Sequence, residues 1–327
     1  MNVASSSSIS IEHQAPGAGL MDRLAIAAGD IKLAHSIFAM PFALLASFFA
    51  RSREMPWRNF GFALGLVVLC MFIARTWAML INRLADRMLD ARNPRTSRRA
   101  FASGKLTPAF GLTLTLSLGT AFLAATSAFW FFFSNPWPLL LAVPVLAWIG
   151  AYSLTKRFTW ACHLFLGTSL AASPLAASIA INPAALGLPA AHFQSAPEGT
   201  RAALWCLAAM VTLWVAGFDV IYSLQDVDED RRERLFSIPS RLGVTAAIWI
   251  SRLLHVAALL CLVLAWRLEP RLGIAFGFGV AIVALLLVVE HTILAQRGKA
   301  GLDAAFFTMN GLVSLVVGGL GIADTLF

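Results

Sequence analysis

Charge is what this chain has least of. Only 13% of its 327 residues are Asp, Glu, Lys or Arg, about half the share of a water-soluble domain, so an ordinary soluble fold is excluded. Cysteine is sparse as well. Cys70, Cys162, Cys206 and Cys261 all fall in apolar runs with no close pair among them, which excludes a disulfide framework and reads as small core residues. Residues 1 to 28 lack the basic start, short apolar stretch and small-residue site of a secretory signal. They read as a disordered cytoplasmic tail, with the first hydrophobic segment as an uncleaved anchor. There is no Gly-x-x-x-x-Gly-Lys phosphate loop, despite Gly104-Lys105, and His255 and His291 have no partners at zinc spacing. His35 and His163 read as hydrogen-bonded structural residues near span ends.

What is present is hydrocarbon. Hydrophobic residues make up 59% of the chain and mean hydropathy is +0.76. The apolar runs are continuous and about twenty residues long, enough to cross roughly 30 Å of hydrocarbon as helix, and they do not alternate in ten-residue segments as barrel strands would. Nine such runs are predicted, at about 33 to 50, 60 to 82, 108 to 133, 138 to 154, 160 to 182, 202 to 224, 244 to 267, 272 to 294 and 302 to 326. The expected fold is all-α, a multi-pass membrane bundle of nine transmembrane helices around a central cavity, with one membrane domain over 29–327.

With the N-terminus cytoplasmic, eighteen Lys and Arg residues fall on the cytoplasmic side and six outside, while Arg75 lies within the second span. The positive-inside rule therefore predicts N-terminus in and, from an odd span count, C-terminus out, with a bacterial chain in the cytoplasmic membrane. The same rule accounts for the net charge of +8 without nucleic acid.

Two cytoplasmic loops are long, about 83 to 107 and 225 to 243, and each follows a span that ends in carboxylates. Steps of four place Asn82, Asp86 and Asp90 on one helix face, and steps of seven and four do the same for Asp219, Asp226 and Asp230. So many carboxylates near one bilayer edge repel unless a multivalent cation lies between them. Hard oxygen ligands favour Mg²⁺ or Ca²⁺, and Mg²⁺ commonly completes its shell with water and phosphate oxygens. Arg87, Arg95, Arg98, Arg99 and Lys105 are placed to neutralise a diphosphate. Solvated aspartates beside topology-setting arginines are the simpler alternative for either segment alone. Arg75, two turns inside Asn82, needs a partner or a bound anion.

These segments resemble the UbiA-type intramembrane aromatic prenyltransferases. The family's Asn-Asp-x-x-Asp-x-x-x-Asp motif appears as Asn82-Arg83-Leu84-Ala85-Asp86-Arg87-Met88-Leu89-Asp90. Its Arg-Thr-x-x-Arg and Ser-Gly-x-x-Thr elements are similar to Arg95 to Arg99 and Ser103 to Thr107, and its Asp-x-x-x-Asp motif is met by Asp226 and Asp230. Weaker matches lie at Lys32 to Phe38, Tyr152 to Thr159 and Phe307 to Asn310. The chain departs from the pattern twice: Arg83 stands where the family has a second acidic residue, and Ala100 where a proline often follows.

The resemblance implies Mg²⁺-dependent transfer of a polyprenyl chain from its diphosphate to an aromatic acid in quinone biosynthesis. It implies Asn82, Asp86, Asp90, Asp226 and Asp230 as metal ligands, Asp219 as the group that activates the acceptor hydroxyl, and Arg87 as a catalytic cation. Arg75, Arg95, Arg98, Lys156 and Arg157 are the implied substrate-binding residues. Burial would raise the Asp219 pKa and nearby metal would lower it, and the sequence does not choose between them. The Arg-Thr-Ser-Arg-Arg and Ser237-to-Gly243 elements are most similar to 4-hydroxybenzoate enzymes. A dihydroxynaphthoate acceptor for menaquinone is the alternative within the family, and a membrane cation transporter the alternative outside it. Transport sites usually sit near the midplane on broken helices, whereas these aspartates cluster at one edge.

Overall fold

A backbone buried in lipid must satisfy its own polar groups, and this chain does so with helices; the described residues contain no strand. The computed structural model describes residues 19–31, 39–194, 196–298, 302 and 308–326. Lys32 to Phe38, His35 and Phe307 lie outside the described residues.

Among the described residues, seven helices are long and apolar enough to cross a membrane. They are α3 (Trp57–Arg92), α4 (Pro108–Phe133), α5 (Trp137–Thr155), α6 (Cys162–Ile181), α7 (Thr200–Tyr222), α10 (Val244–Leu268) and α11 (Ile274–Arg297). Two shorter apolar helices, α2 (Met40–Ala50) and α12 (Asn310–Leu326), occupy the first and ninth expected spans. The protein is an integral membrane helical bundle. Two short helices, α8 (Val227–Arg232) and α9 (Ile238–Leu242), lie in the second long loop.

Residues 20 to 28, assigned to the tail by sequence, are instead helical and belong to α1 (Leu20–Ile31). Two apolar residues anchor it: Ala27 and Ile31 are buried against Leu80, Ala100, Phe101 and Leu106. Only its polar face resembled a tail.

Helix α7 is the centre of the bundle. Trp214 is fully buried there against Phe42 of α2, with ring centroids 5.3 Å apart, and α6 and α10 pack on either side. A Cβ on Gly167 of α6 would sit 2.2 Å from the Thr212 carbonyl oxygen of α7, so only glycine allows this approach. Pro174 interrupts α6, and the hydroxyl of Ser173 donates to the Leu170 carbonyl four residues before the proline at 2.7 Å.

Helix α3 has 36 residues. At 1.5 Å per residue it is about 54 Å long against roughly 30 Å of hydrocarbon. Its final turns therefore project beyond the apolar zone, and those turns carry Asn82, Asp86 and Asp90.

Candidate active site

The two acidic segments meet. Arg95, in the loop after α3, grips Asp226 with two bonds, Nε to Oδ1 at 3.0 Å and Nη2 to Oδ2 at 2.5 Å. Asn93 donates to the same carboxylate at 3.2 Å, and Arg92 pairs with Glu233 at 2.8 Å. Arg232 donates to the Arg92 carbonyl at 3.2 Å and to Glu229. Both motifs thus border one polar cavity of about 260 Å³.

Asn82, Asp86, Asp90, Asp219, Asp226, Asp230, Arg95 and Lys156 all line that cavity. Asp86 is 2% exposed and doubly paired, with Lys156 Nζ at 2.5 Å and Arg157 Nη2 at 2.8 Å. Arg157 is held in turn by the Ser153 and Ala85 carbonyls, at 2.9 and 2.8 Å. Asp90 accepts from Arg99 Nη1 at 2.7 Å. Asp230 accepts from the Ser237 hydroxyl at 2.7 Å. Burial, aided by the neighbouring Asp226 charge, pushes the Asp230 carboxyl up from its ordinary value against the lowering effect of Ser237.

Asp219, on the last turns of α7, accepts from the Nδ1 side of His163 at 2.7 Å. Tyr152, on α5, lies within electrostatic reach of Asp219, Asp86, Arg83 and Arg75. It also borders a second cavity, of about 390 Å³, that is almost entirely apolar. Its walls include Met71, Phe72, Met79, Phe122, Phe129 and Val145. Among the described residues Arg75 is the one Lys or Arg in that wall, and its Nε is buried without a hydrogen bond. Tyr152 and Leu166 line both cavities, so a polar vestibule and a greasy chamber meet at this pair.

Two expected site residues stand elsewhere. Arg87 is exposed and donates to the Leu84 carbonyl of its own helix at 3.2 Å; one residue beyond Asp86, it is turned about 100° away from the cavity. Arg98 is exposed, whereas its neighbour Arg99 turns inward to Asp90. Neither Arg87 nor Arg98 borders either cavity; Arg157 does not line one either, but it reaches the site through its bond to Asp86. Conversely, Asn93, Ser237 and His163 hold acidic residues without having been expected at the site, and Arg99, expected beside a diphosphate, holds Asp90. Arg99 had a sequence signal as the last residue of its Arg-Thr-Ser-Arg-Arg run, and Ser237 as the first residue of its Ser237-to-Gly243 element.

A model of the UbiA prenyltransferase family matches residues 39–312. The chain belongs to the UbiA prenyltransferase family. Among solved structures, a UbiA homolog from Aeropyrum pernix K1 superposes with a TM-score of 0.75 at 27% identity, over 90% of this chain and 98% of that one. A UbiA homolog from Archaeoglobus fulgidus, solved bound to DMAPP and Mg²⁺, shares the fold with a TM-score of 0.63 at 15% identity, covering 93% of this chain and 99% of that one. In sequence, the 4-hydroxybenzoate octaprenyltransferase of Pseudomonas syringae pv. syringae is 30% identical over 74% of this chain and 73% of its own length. That of Pseudoalteromonas atlantica is 26% identical over 80% and 84%.

The acidic residues suit a metal of a particular kind. Among the described residues no three His, Cys, Asp or Glu side chains stand together as a ready cage. Hard oxygen donors instead line one vestibule, with Asp86, Asp90 and Asp226 already balanced by guanidinium or ammonium groups and Asp230 held by the Ser237 hydroxyl. That arrangement fits Mg²⁺, which takes one or two carboxylates and fills its shell with phosphate oxygens.

Proposed function

We propose that this protein transfers a polyprenyl group from polyprenyl diphosphate to an aromatic acid, with 4-hydroxybenzoate as the acceptor. The observation that carries the proposal is the junction at Tyr152 and Leu166, where a cation-lined and carboxylate-lined vestibule joins an apolar chamber. A prenyl diphosphate has the same two parts. The relatives named 4-hydroxybenzoate octaprenyltransferase and the DMAPP- and Mg²⁺-bound homolog support the same reading.

Asn82, Asp86, Asp90, Asp226 and Asp230 would hold Mg²⁺. When bound, Mg²⁺ supplies positive charge that offsets the growing charge of the departing diphosphate. Lys156, Arg157 and Arg95, now engaged with Asp86 and Asp226, exchange part of that pairing for phosphate oxygens. The apolar walls hold the isoprenoid tail and keep water from the allylic carbon once its bond to oxygen weakens. Arg75 holds the acceptor's carboxylate, which supplies the anion that its unbonded Nε lacks.

Asp219 takes the proton of the acceptor hydroxyl as the ortho ring carbon attacks the first prenyl carbon. The carbon–oxygen bond to the diphosphate breaks and its electron pair leaves with pyrophosphate. The ring carbon that attacked then loses its hydrogen as a proton to solvent while Asp219 returns its proton to the oxygen, restoring the aromatic ring.

A cation transporter is a poor match, because the carboxylates lie at the end of the bundle, beside arginines, rather than on a broken helix within it. The vestibule is assigned to the cytoplasmic side by the positive-inside rule. The deciding assay uses purified protein, Mg²⁺, a radiolabelled polyprenyl diphosphate and a panel that includes 4-hydroxybenzoate and a dihydroxynaphthoate. Label is expected in prenylated 4-hydroxybenzoate. Label in the naphthoate alone reassigns the acceptor, and no transfer to any aromatic acid overturns the proposal.

A further inference from the structure

His163 is the second residue of α6 and only 2% exposed, deep enough that each ring nitrogen must be accounted for. Its Nδ1 lies 2.7 Å from Asp219 Oδ2. On the other edge of the ring, the backbone N–H of Ile238 donates to Nε2 at 3.2 Å. An N–H donor requires a lone pair at its acceptor, so Nε2 carries no proton and Nδ1 does. The two contacts are satisfied together by an Nδ1–H that donates to the carboxylate and a bare Nε2.

The segment that supplies the Ile238 N–H is itself fixed. Phe236 N donates to the Lys156 carbonyl at 2.7 Å, and the Cys162 thiol lies 3.3 Å from the Phe236 carbonyl. Ser237, next in the chain, bonds Asp230. One imidazole thus joins Asp219 on α7 to the loop that bears Asp230. The close approach of α6 and α7 at Gly167, one turn after His163, makes this contact possible. Tyr152 of α5 is a further titratable group in electrostatic reach of Asp219 from a neighbouring helix.

We infer that His163 is a positioning residue of the transfer reaction: its Nδ1–H orients the Asp219 carboxylate toward the acceptor hydroxyl, and its Nε2 anchors that arrangement to the loop carrying Asp230. This inference rests on Asp219 accepting the hydroxyl proton. A carboxylate held by one donor keeps its second oxygen free and aimed, whereas an unheld one samples rotamers that cannot reach the hydroxyl.

The test compares wild type with His163→Ala, His163→Gln and Asp219→Asn, each as the full chain in detergent with Mg²⁺ and polyprenyl diphosphate. His163→Ala is expected to lower kcat with 4-hydroxybenzoate by roughly 30-fold and to leave the KM for prenyl diphosphate within about two-fold. His163→Gln, whose amide also donates and accepts, is expected to recover most of that loss. Across 4-hydroxybenzoates made progressively more acidic by fluoro substituents at positions 2 and 6, the Ala defect is expected to shrink, because a more acidic hydroxyl gives up its proton with less help from a base. A defect that stays constant across the acceptor series would mean a purely structural role and overturns the inference.

Wild-type kcat in His163→Ala combined with loss in Asp219→Asn overturns it while sparing Asp219. Full activity in Asp219→Asn removes the Asp219 reading itself. Where His163→Ala does not fold, ¹⁵N-histidine spectra of the wild-type protein decide, with the signal absent from His163→Gln assigning the residue. A protonated Nδ1 and a bare Nε2 are expected, and an imidazolium or an Nε2–H ring overturns the inference.

Discussion

Asp30 of α1 reaches the two positions at which this chain departs from its family's pattern. Its Oδ2 lies 3.5 Å from Arg83 Nε, and its Oδ1 accepts from the backbone N–H of Ala100 at 3.2 Å. An acidic residue at 83 would repel Asp30, and a proline at 100 would have no N–H to give. The two departures therefore meet at one residue, Asp30, where α1 docks beside the first acidic motif.

Asp30→Ala leaves a buried guanidinium without its carboxylate, for Arg83 is only 7% exposed. A loss of about 2 kcal/mol is expected, toward the low end for a buried pair because the site lies near water. Thermal unfolding in detergent measures it. Ala100→Pro, which removes a single hydrogen bond, is expected to cost about 1 kcal/mol. Equal stability in both variants would show that α1 docks through its apolar face alone.

Asp86→Ala and Asp226→Ala are each expected to reduce Mg²⁺-dependent prenyl transfer at least ~10²-fold while the protein still elutes as a folded species. In Asp86→Ala, Lys156 and Arg157 lose their shared partner. Phosphate affinity can therefore survive the loss of turnover, and equilibrium binding of a non-hydrolysable prenyl diphosphate analogue measures it.

Arg99 and Arg87 make a controlled pair. Both are cations of the same acidic segment, but Arg99 bonds Asp90 at 2.7 Å and Arg87 caps only its own helix. Arg99→Ala is expected to lower kcat/KM by roughly 30-fold, in the range for a lost charge-assisted bond to an active-site group. Arg87→Ala is expected to stay within about two-fold of wild type. Initial rates at limiting prenyl diphosphate make the comparison.

Arg75→Leu tests the deeper chamber. If Arg75 holds the acceptor's carboxylate, the variant raises the KM for 4-hydroxybenzoate by roughly 10²-fold and leaves the KM for prenyl diphosphate near its original value, as expected for a lost charge-assisted contact of about 2–3 kcal/mol. An acceptor ester lacking the negative charge should bind wild type and variant alike. A rise confined to the prenyl diphosphate would move Arg75 to the other substrate.

Hydropathy alone determined that this chain lives in a membrane and very nearly where its helices run, because twenty-residue apolar blocks have no other stable form in water or lipid. Helical spacing was enough to place Asn82, Asp86 and Asp90 on one face and Asp226 with Asp230, since that periodicity is local; the expected seven-residue step from Asp219 to Asp226 does not run along one helix, because α7 ends at Tyr222 and Asp226 caps α8. The pairings across 50 or more residues were decided by tertiary structure: Lys156 and Arg157 on Asp86, Arg95 on Asp226, His163 on Asp219. So was the choice of Arg99 over Arg87 and Arg98, which neighbour it in sequence but differ in the direction the fold gives them. Charge and spacing say which residues can bond; only the packing of one helix on another says which of them do.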